Sequence, residues 1–190
     1  MSSPTRGRPP ASSREVLADA ACELFLEQGY EATSITEIAR RAGVSRSSFF
    51  NYFAGKSEIL WFGFDRRVDA LLDALADPAP PLADALAVFA LGDTPDTLAL
   101  AIVDARTMGV EPELEAGRAA RQLRIGTAIA ARLERDGVEA VRACVAGAGY
   151  AAALVSAVWR WADRGAGRNR LDLMLLDALA TARATLEPRG

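Results

Sequence analysis

Residues 34–53, SITEIARRAGVSRSSFFNYF, leave the chain little freedom: they read as two short helices crossing at a tight glycine turn. Ser34 and Glu37 form the capping-box pair that starts the first helix. Ile35, Ile38 and Ala42 share one apolar face. Ala39 is small where the helices must approach closely. Gly43 supplies a left-handed turn that a β-carbon disfavours. Val44 and Phe49 close the core beneath the second helix, which is predicted to run from Ser45, its cap, to near Phe53. Phe49 and Phe53 are an (i, i+4) apolar pair. This is helix-turn-helix spacing. In that motif the N-terminal residues of the second helix reach base edges in the DNA major groove. Here those residues are Arg46, Ser47, Ser48 and Asn51. A glycine turn alone describes an ordinary helical hairpin equally well. The capping box, the serine-rich second helix and the aromatic cluster favour the DNA-reading motif.

Elsewhere apolar residues recur at three- and four-residue spacing with no strand-like alternation, so an all-α protein is expected. Helices are predicted over 13–28, 35–42, 45–53, 56–76, 82–90, 95–108, 112–136, 138–164 and 170–186. Gly29 is a typical stop for the first, and the proline-rich stretch 77–81 breaks the fourth. Pro95 and Pro112 are placed at first helical positions, where a missing N–H is harmless.

Charge narrows the function. The 190 residues carry 22 basic and 25 acidic side chains, a formal net charge of −3, which argues against indiscriminate nucleic-acid binding. Yet Arg40, Arg41, Arg46 and Lys56 stand without an acid between 38 and 56, and Arg6, Arg8 and Arg14 do so between 1 and 14. A basic motif on a net-acidic chain suits a selective DNA binder. The acids of the first helix, Glu15, Asp19, Glu23 and Glu27, are expected to face away from DNA. Arg40 and Arg41 taken alone read as solvated surface.

There is no histidine, which excludes histidine triads, histidine metal sites and a histidine pH switch. Nothing supplies a nucleophile–base pair with an orienting third group, so no catalysis is expected, and no metal or cofactor. Cys22 and Cys144 sit among apolar neighbours and read as small core residues in a reducing compartment. No segment is expected to cross a membrane, and no secretory signal is seen. A cytoplasmic protein is expected.

The stretch AACELFLEQGYEATSITEIARRAGVSRSSFFNYFAGKSEIL, within Val16–Leu60, resembles the TetR family of transcriptional regulators. Its markers are Leu24–Phe25, Gly29–Tyr30, Thr33, Ile38–Ala39, Ala42–Gly43–Val44–Ser45, Phe53, Lys56 and Leu60. The resemblance implies a flexible basic arm over 1–13, a helix-turn-helix DNA-binding domain over 14–56, and an effector-binding and dimerisation domain over 57–190. It also implies a repressor released by a small organic effector, with a homodimer reading a near-palindromic double-stranded operator.

Carried over by position, Thr33, Ser34 and Thr36 would hold a DNA phosphate at the start of the second helix. Arg46, Ser47 and Ser48 would face the bases, Tyr52 and Lys56 the backbone, with Ser45 and Asn51 as further DNA-binding candidates. Phe50 stands where relatives usually carry tyrosine, and core packing is its simplest account. Ser47 replaces a usual glycine. For Arg6 and Arg8 two readings stay open, minor-groove insertion and a solubilising tail.

Beyond Leu60 the resemblance thins. Trp61, Phe64 and Asp65 resemble, more weakly, regulators of the mycofactocin-system type, which suggests an acyl-CoA-like or other large amphipathic effector. Phe64, Phe89, Met108, Gln122, Tyr150 and Trp159 are the candidate effector contacts. Ordinary packing is the competing account of each. Arg106, Arg118, Arg121 and Arg124 are candidates for an anionic group, with plain surface exposure as the alternative. Ala143, Ala146, Gly147, Gly149, Ala151 and Ala152, with Leu154, Val158, Trp161, Leu173, Leu176 and Leu179, read as a dimer seam on the last two helices. Two other classes remain open: a helical enzyme with a purely structural motif, and a DNA-binding protein without an effector.

Overall fold

A computed structural model of the chain describes residues 13–186, so the expected arm with Arg6 and Arg8 lies outside the described residues. The described chain is all-α, with an N-terminal three-helix helix-turn-helix unit followed by a helical bundle. The unit comprises α1 (Ser13–Gln28), α2 (Ile35–Arg41) and α3 (Arg46–Phe49). The long α4 (Lys56–Ala76) leads into α5 (Leu82–Ala87), a 3-10 turn (Val88–Ala90), α6 (Asp96–Val103) and α7 (Ala105–Met108). The bundle is completed by α8 (Glu111–Arg135), α9 (Ala140–Asp163) and α10 (Leu171–Leu186).

Three predicted helices differ, the 82–90 helix by turning 3-10 from Val88. The 45–53 helix stops at Phe49, because the Asn51 and Tyr52 N–H groups turn back to the Ser48 and Phe49 carbonyls at 3.2 and 2.9 Å. These three-residue bonds tighten the chain out of α geometry. The 95–108 helix breaks at Asp104, whose φ of −103° and ψ of 21° divide α6 from α7. Pro95 caps α6 from outside and Pro112 is the second residue of α8, each one place from the predicted position.

One core runs through both halves. Leu17, Phe25, Ile38, Phe49, Ile59, Trp61, Phe64, Phe89, Leu154 and Trp161 are all buried. Trp61 sets the distance between α4 and α8. Its indole lies so close to Gly117 that a β-carbon there would come within 2.5 Å of the ring. Arg121 stacks over the same indole at 4.0 Å and forms a double hydrogen bond to Asp65, both at 2.6 Å.

Two buried arginines hold the loops of the bundle. Arg67 donates to the Phe89, Gly92 and Asp93 carbonyls at 2.6, 2.9 and 2.9 Å. Burial lowers its pKa from the ordinary guanidinium value, against the opposing pull of Asp93 and Asp172. Arg132 donates to the carbonyls of Asp77 and Pro80, and closes onto Asp136 at 2.9 Å. It fastens the proline-rich stretch to α8.

The expected seam residues do not all face outward. Gly147 packs on α8, where its own β-carbon would lie 2.9 Å from the Ala130 nitrogen and closer still to the Gly126 carbonyl. Gly149 packs on Leu186, and Ala143, Ala151, Leu154, Val158 and Trp161 are buried within the chain. Leu173 and Leu176 are exposed. The membrane expectation also needs correction. By length and composition α9 is apolar enough to cross a membrane, being uncharged from Ala143 to Trp159. In this fold it is a packed helix lying against α6, α8 and α10. Cys22 is buried as expected, and burial, aided by Asp19 and Glu23, pushes its thiol up to about 12. Cys144 is exposed, on an outward position of α9, and is not a core residue.

Gly147→Ala should therefore cost about 1–3 kcal/mol of stability, because the obstructing atoms are backbone and cannot rotate away. Thermal unfolding of the variant should show a lower midpoint than wild type; an unchanged midpoint would contradict the α8–α9 contact.

Candidate nucleic-acid interface

The ends of α2 and α3 are built from short-range hydrogen bonds. The Ser34 hydroxyl accepts from the Glu37 N–H at 3.2 Å, and the Glu37 carboxylate accepts from the Ser34 N–H at 2.8 Å. The Ser34 N–H and hydroxyl, both donating to the Glu37 carboxylate, hold its carboxyl below the usual carboxylate range. Between the helices Gly43 adopts a φ of 71°. Ser45 then caps α3, its hydroxyl accepting from the Ser48 N–H at 3.0 Å and lying 2.8 Å from the Ser47 and Ser48 hydroxyls.

This places Ser45, Arg46, Ser47 and Asn51 on exposed positions, with Ser48 half-buried beside them. Arg46 stacks its guanidinium over the Phe50 ring at 5.2 Å. Phe50 is not a core residue: it is 45% exposed, because successive helical positions point about 100° apart and 49 and 50 do not both face the core. Phe49 takes the inward place.

Four expected backbone contacts have other partners. Thr33 is buried, and its hydroxyl donates to the Gly29 carbonyl at 2.7 Å. It closes the α1–α2 turn and cannot also face a phosphate. Ser34 and Thr36 are exposed, but the Ser34 hydroxyl is engaged with Glu37. Lys56 donates to the Tyr30 carbonyl at 2.7 Å and lies 4.3 Å over the Tyr30 ring. Tyr52 is half-buried, and its carbonyl accepts from Arg14 at 2.8 Å.

The local charge count also changes. Arg41 pairs with Glu23 and Glu27 at 3.1 and 2.7 Å, so two acids of α1 turn toward the motif and neutralise one of its arginines. Arg41 lowers the pKa of Glu27 through the same contact. Arg46 has no ion-pair partner among the described residues.

The six candidate effector residues do not converge on one cavity. Phe64, Phe89, Met108 and Tyr150 are packed in the core, with Phe64 and Phe89 meeting edge to face at 5.6 Å. The Met108 carbonyl accepts from the Tyr30 N–H at 2.7 Å, a bond between α7 and the helix-turn-helix unit. Trp159 is half-buried between Trp61, at 6.0 Å, and Arg118, at 4.6 Å. Gln122 lines an open groove of about 740 Å³ between α8 and α9, with Arg118, Leu123, Gly126, Ala130, Cys144 and Ala148. Of the other arginines, Arg124 pairs with Asp69 at 3.0 Å and Arg106 is exposed. The Asp65–Arg121 pair and the Arg14–Tyr52 bond escape sequence reading because their partners lie 56 and 38 residues apart.

The family model for bacterial regulatory proteins of the tetR family matches residues 17–60, the stretch whose capped helices and glycine turn are described above. Residues 17–60 thus match the TetR family. A relative from Mycobacterium tuberculosis named as the mycofactocin biosynthesis transcriptional regulator MftR is 36% identical over 83 residues, covering 42% of this chain and 41% of the relative. The chain thus spans about two fifths of the length of that relative. The HTH-type transcriptional repressor Rv1474c of the same organism is 27% identical and covers 66% of this chain and 67% of the relative. Among solved structures, the TetR-family repressor FadR of Thermus thermophilus, in complex with lauroyl-CoA, has a TM-score of 0.53 and 27% identity, covering 93% and 96% of the two chains.

The Glu37 contacts define a pH test. A carboxyl depressed in the folded state contributes stability that is present above its unfolded pKa and lost as pH falls through the folded value. Glu37→Gln should flatten the acid-side loss of thermal stability. A pH–stability curve that keeps the wild-type slope below the usual carboxylate range would show that the capping box does not carry it.

Proposed function

We propose that the chain is a homodimeric, sequence-selective transcriptional regulator that represses its target genes and is released from a near-palindromic operator by a small amphipathic effector. The observation that carries this reading is α3, a capped helix that displays Arg46, Ser47 and Asn51 to solvent. Arg46 is an unpaired fork donor suited to guanine O6 and N7. Ser47, Ser48 and Asn51 are hydrogen-bonding groups on the same short element. Ser34, Thr36, Tyr52 and Lys56 flank it as backbone contacts, and Lys56 also anchors Tyr30. Two such helices reading adjacent half-sites require a dimer. The exposed Leu173 and Leu176 of α10 offer apolar surface for one.

For the effector, an acyl-CoA-like molecule is the favoured class, because the Thermus thermophilus repressor similar to this chain over nearly its whole length holds lauroyl-CoA. The open α8–α9 groove has the size of a ligand site, with Leu123, Gly126 and Ala130 as apolar lining and Arg118 and Gln122 as polar groups. Repressors and regulators among the relatives support a regulatory rather than an enzymatic role.

Fluorescence anisotropy on duplexes selected from the DNA around the chain's own gene tests both parts. Arg46→Ala should cost roughly 1–3 kcal/mol of binding and relax selectivity at one position per half-site. Lauroyl-CoA should displace wild type from the operator, and Leu123→Asp should need more of it. Uniform weakening of all sequences by Arg46→Ala would remove its base-reading role. A tightly bound lauroyl-CoA that leaves operator affinity unchanged at fixed salt would remove the effector class.

A further inference from the structure

We propose that Phe50 is a specificity-determining residue whose ring takes the C5-methyl of a thymine next to the base pair read by Arg46; the proposal rests on the DNA-binding reading above. Of the seven phenylalanines, three tyrosines and three tryptophans in the chain, Phe50 is the one that stands exposed, the other twelve being buried or half-buried. It is also held in place. Its ring meets Phe49 edge to face at 5.4 Å, and the Arg46 guanidinium covers it at 5.2 Å. Positions 46 and 50 lie four residues apart, so both side chains share one face of the recognition element.

The chemistry selects the partner. A phenyl ring has no hydroxyl and makes no conventional hydrogen bond to a phosphate or a base edge. The apolar group that the major groove displays on its base edges is the thymine methyl, and phenylalanine is among the side chains that contact it. Successive base pairs are about 3.4 Å apart along the duplex, so a ring stacked against Arg46 lies level with the neighbouring base pair. The guanidinium lies over the Phe50 ring and has no ion-pair partner among the described residues, which leaves its N–H donors available to a guanine. The inferred readout is therefore a thymine adjacent to a guanine, read jointly.

The test uses the full chain and an operator obtained by selection from a randomised duplex library. The guanine read by Arg46 is the position whose preference Arg46→Ala relaxes. Each thymine of the selected duplex is then replaced singly by deoxyuridine, which removes the methyl and nothing else. Wild type should lose about fourfold in affinity at one thymine per half-site, beside that guanine, the value of one buried methyl-sized group. Phe50→Ala should bind the thymine and uracil duplexes equally, and Phe50→Leu should keep part of the difference. Each ratio compares two duplexes on one protein, so a loss of folded fraction cancels. Wild type insensitive to every replacement, or Phe50→Ala retaining the wild-type ratio, would overturn the assignment to Phe50 alone. A library that yields no enriched sequence would instead overturn the DNA-binding reading beneath it.

Discussion

The fit of the Trp61 indole against Gly117 determines how α4 and α8 lie, and much else follows from that spacing. A side chain at 117 would collide with the ring, so the two helices approach only because the position is empty. Once they do, Arg121 falls over the indole and its fork meets Asp65, one turn along α4 from Trp61. Trp159 of α9 then closes on the other side of Trp61. A half-buried bidentate pair of this kind is stronger than an exposed one, and its planar geometry fixes orientation as well as distance.

The bundle relies on arginine in a second way. Arg67 and Arg132 are buried, and backbone carbonyls supply most of their contacts. Each replaces hydrogen bonds that a loop would otherwise make to water, the usual requirement for polar groups leaving solvent. Arg67 organises the turn after the 3-10 segment, and Arg132 the proline-rich link after α4. A chain in which nearly all basic residues are arginine has the right side chain for this task, since a lysine ammonium has no comparable fork.

How far the sequence discloses this follows the range of the interactions. The Ser34–Glu37 box, the Ser45 cap and the left-handed Gly43 are local, decided within four residues, and were readable in advance. So were the limits of α1 and α4, where glycine and proline interrupt a clear apolar rhythm. The misreadings concern direction and distance. Phe50 reads as core because its neighbours at 49 and 53 are, yet one helical step of about 100° from Phe49 turns it outward. Thr33 looks like a phosphate ligand by position, but its hydroxyl is used on Gly29. The arginine count around the motif overlooks Glu23 and Glu27, which approach Arg41 only once α1 and α2 have packed. The effector half was least legible because an apolar residue at helical spacing carries no mark that separates lining from filling. Phe64, Phe89 and Met108 are buried in the core.

The same geometry constrains how an effector would act on DNA, on the proposed reading. The chain of contact runs from Arg118 at the α8–α9 groove to Trp159, then Trp61, Arg121 and Asp65. From α4 it passes through Phe62 to Phe53, at 5.7 Å, directly behind the recognition element. Contiguity of this kind does not itself couple two sites. Coupling requires two arrangements of one element and a ligand that prefers one of them. Trp61 has little room to shift gradually, because Gly117 backbone lies on one side and Arg121 on the other. A ligand that draws Arg118 away from Trp159 would act on a packed cluster rather than a loose hinge. Such a cluster changes by discrete repacking, and α4 is the element that would carry the change to α3.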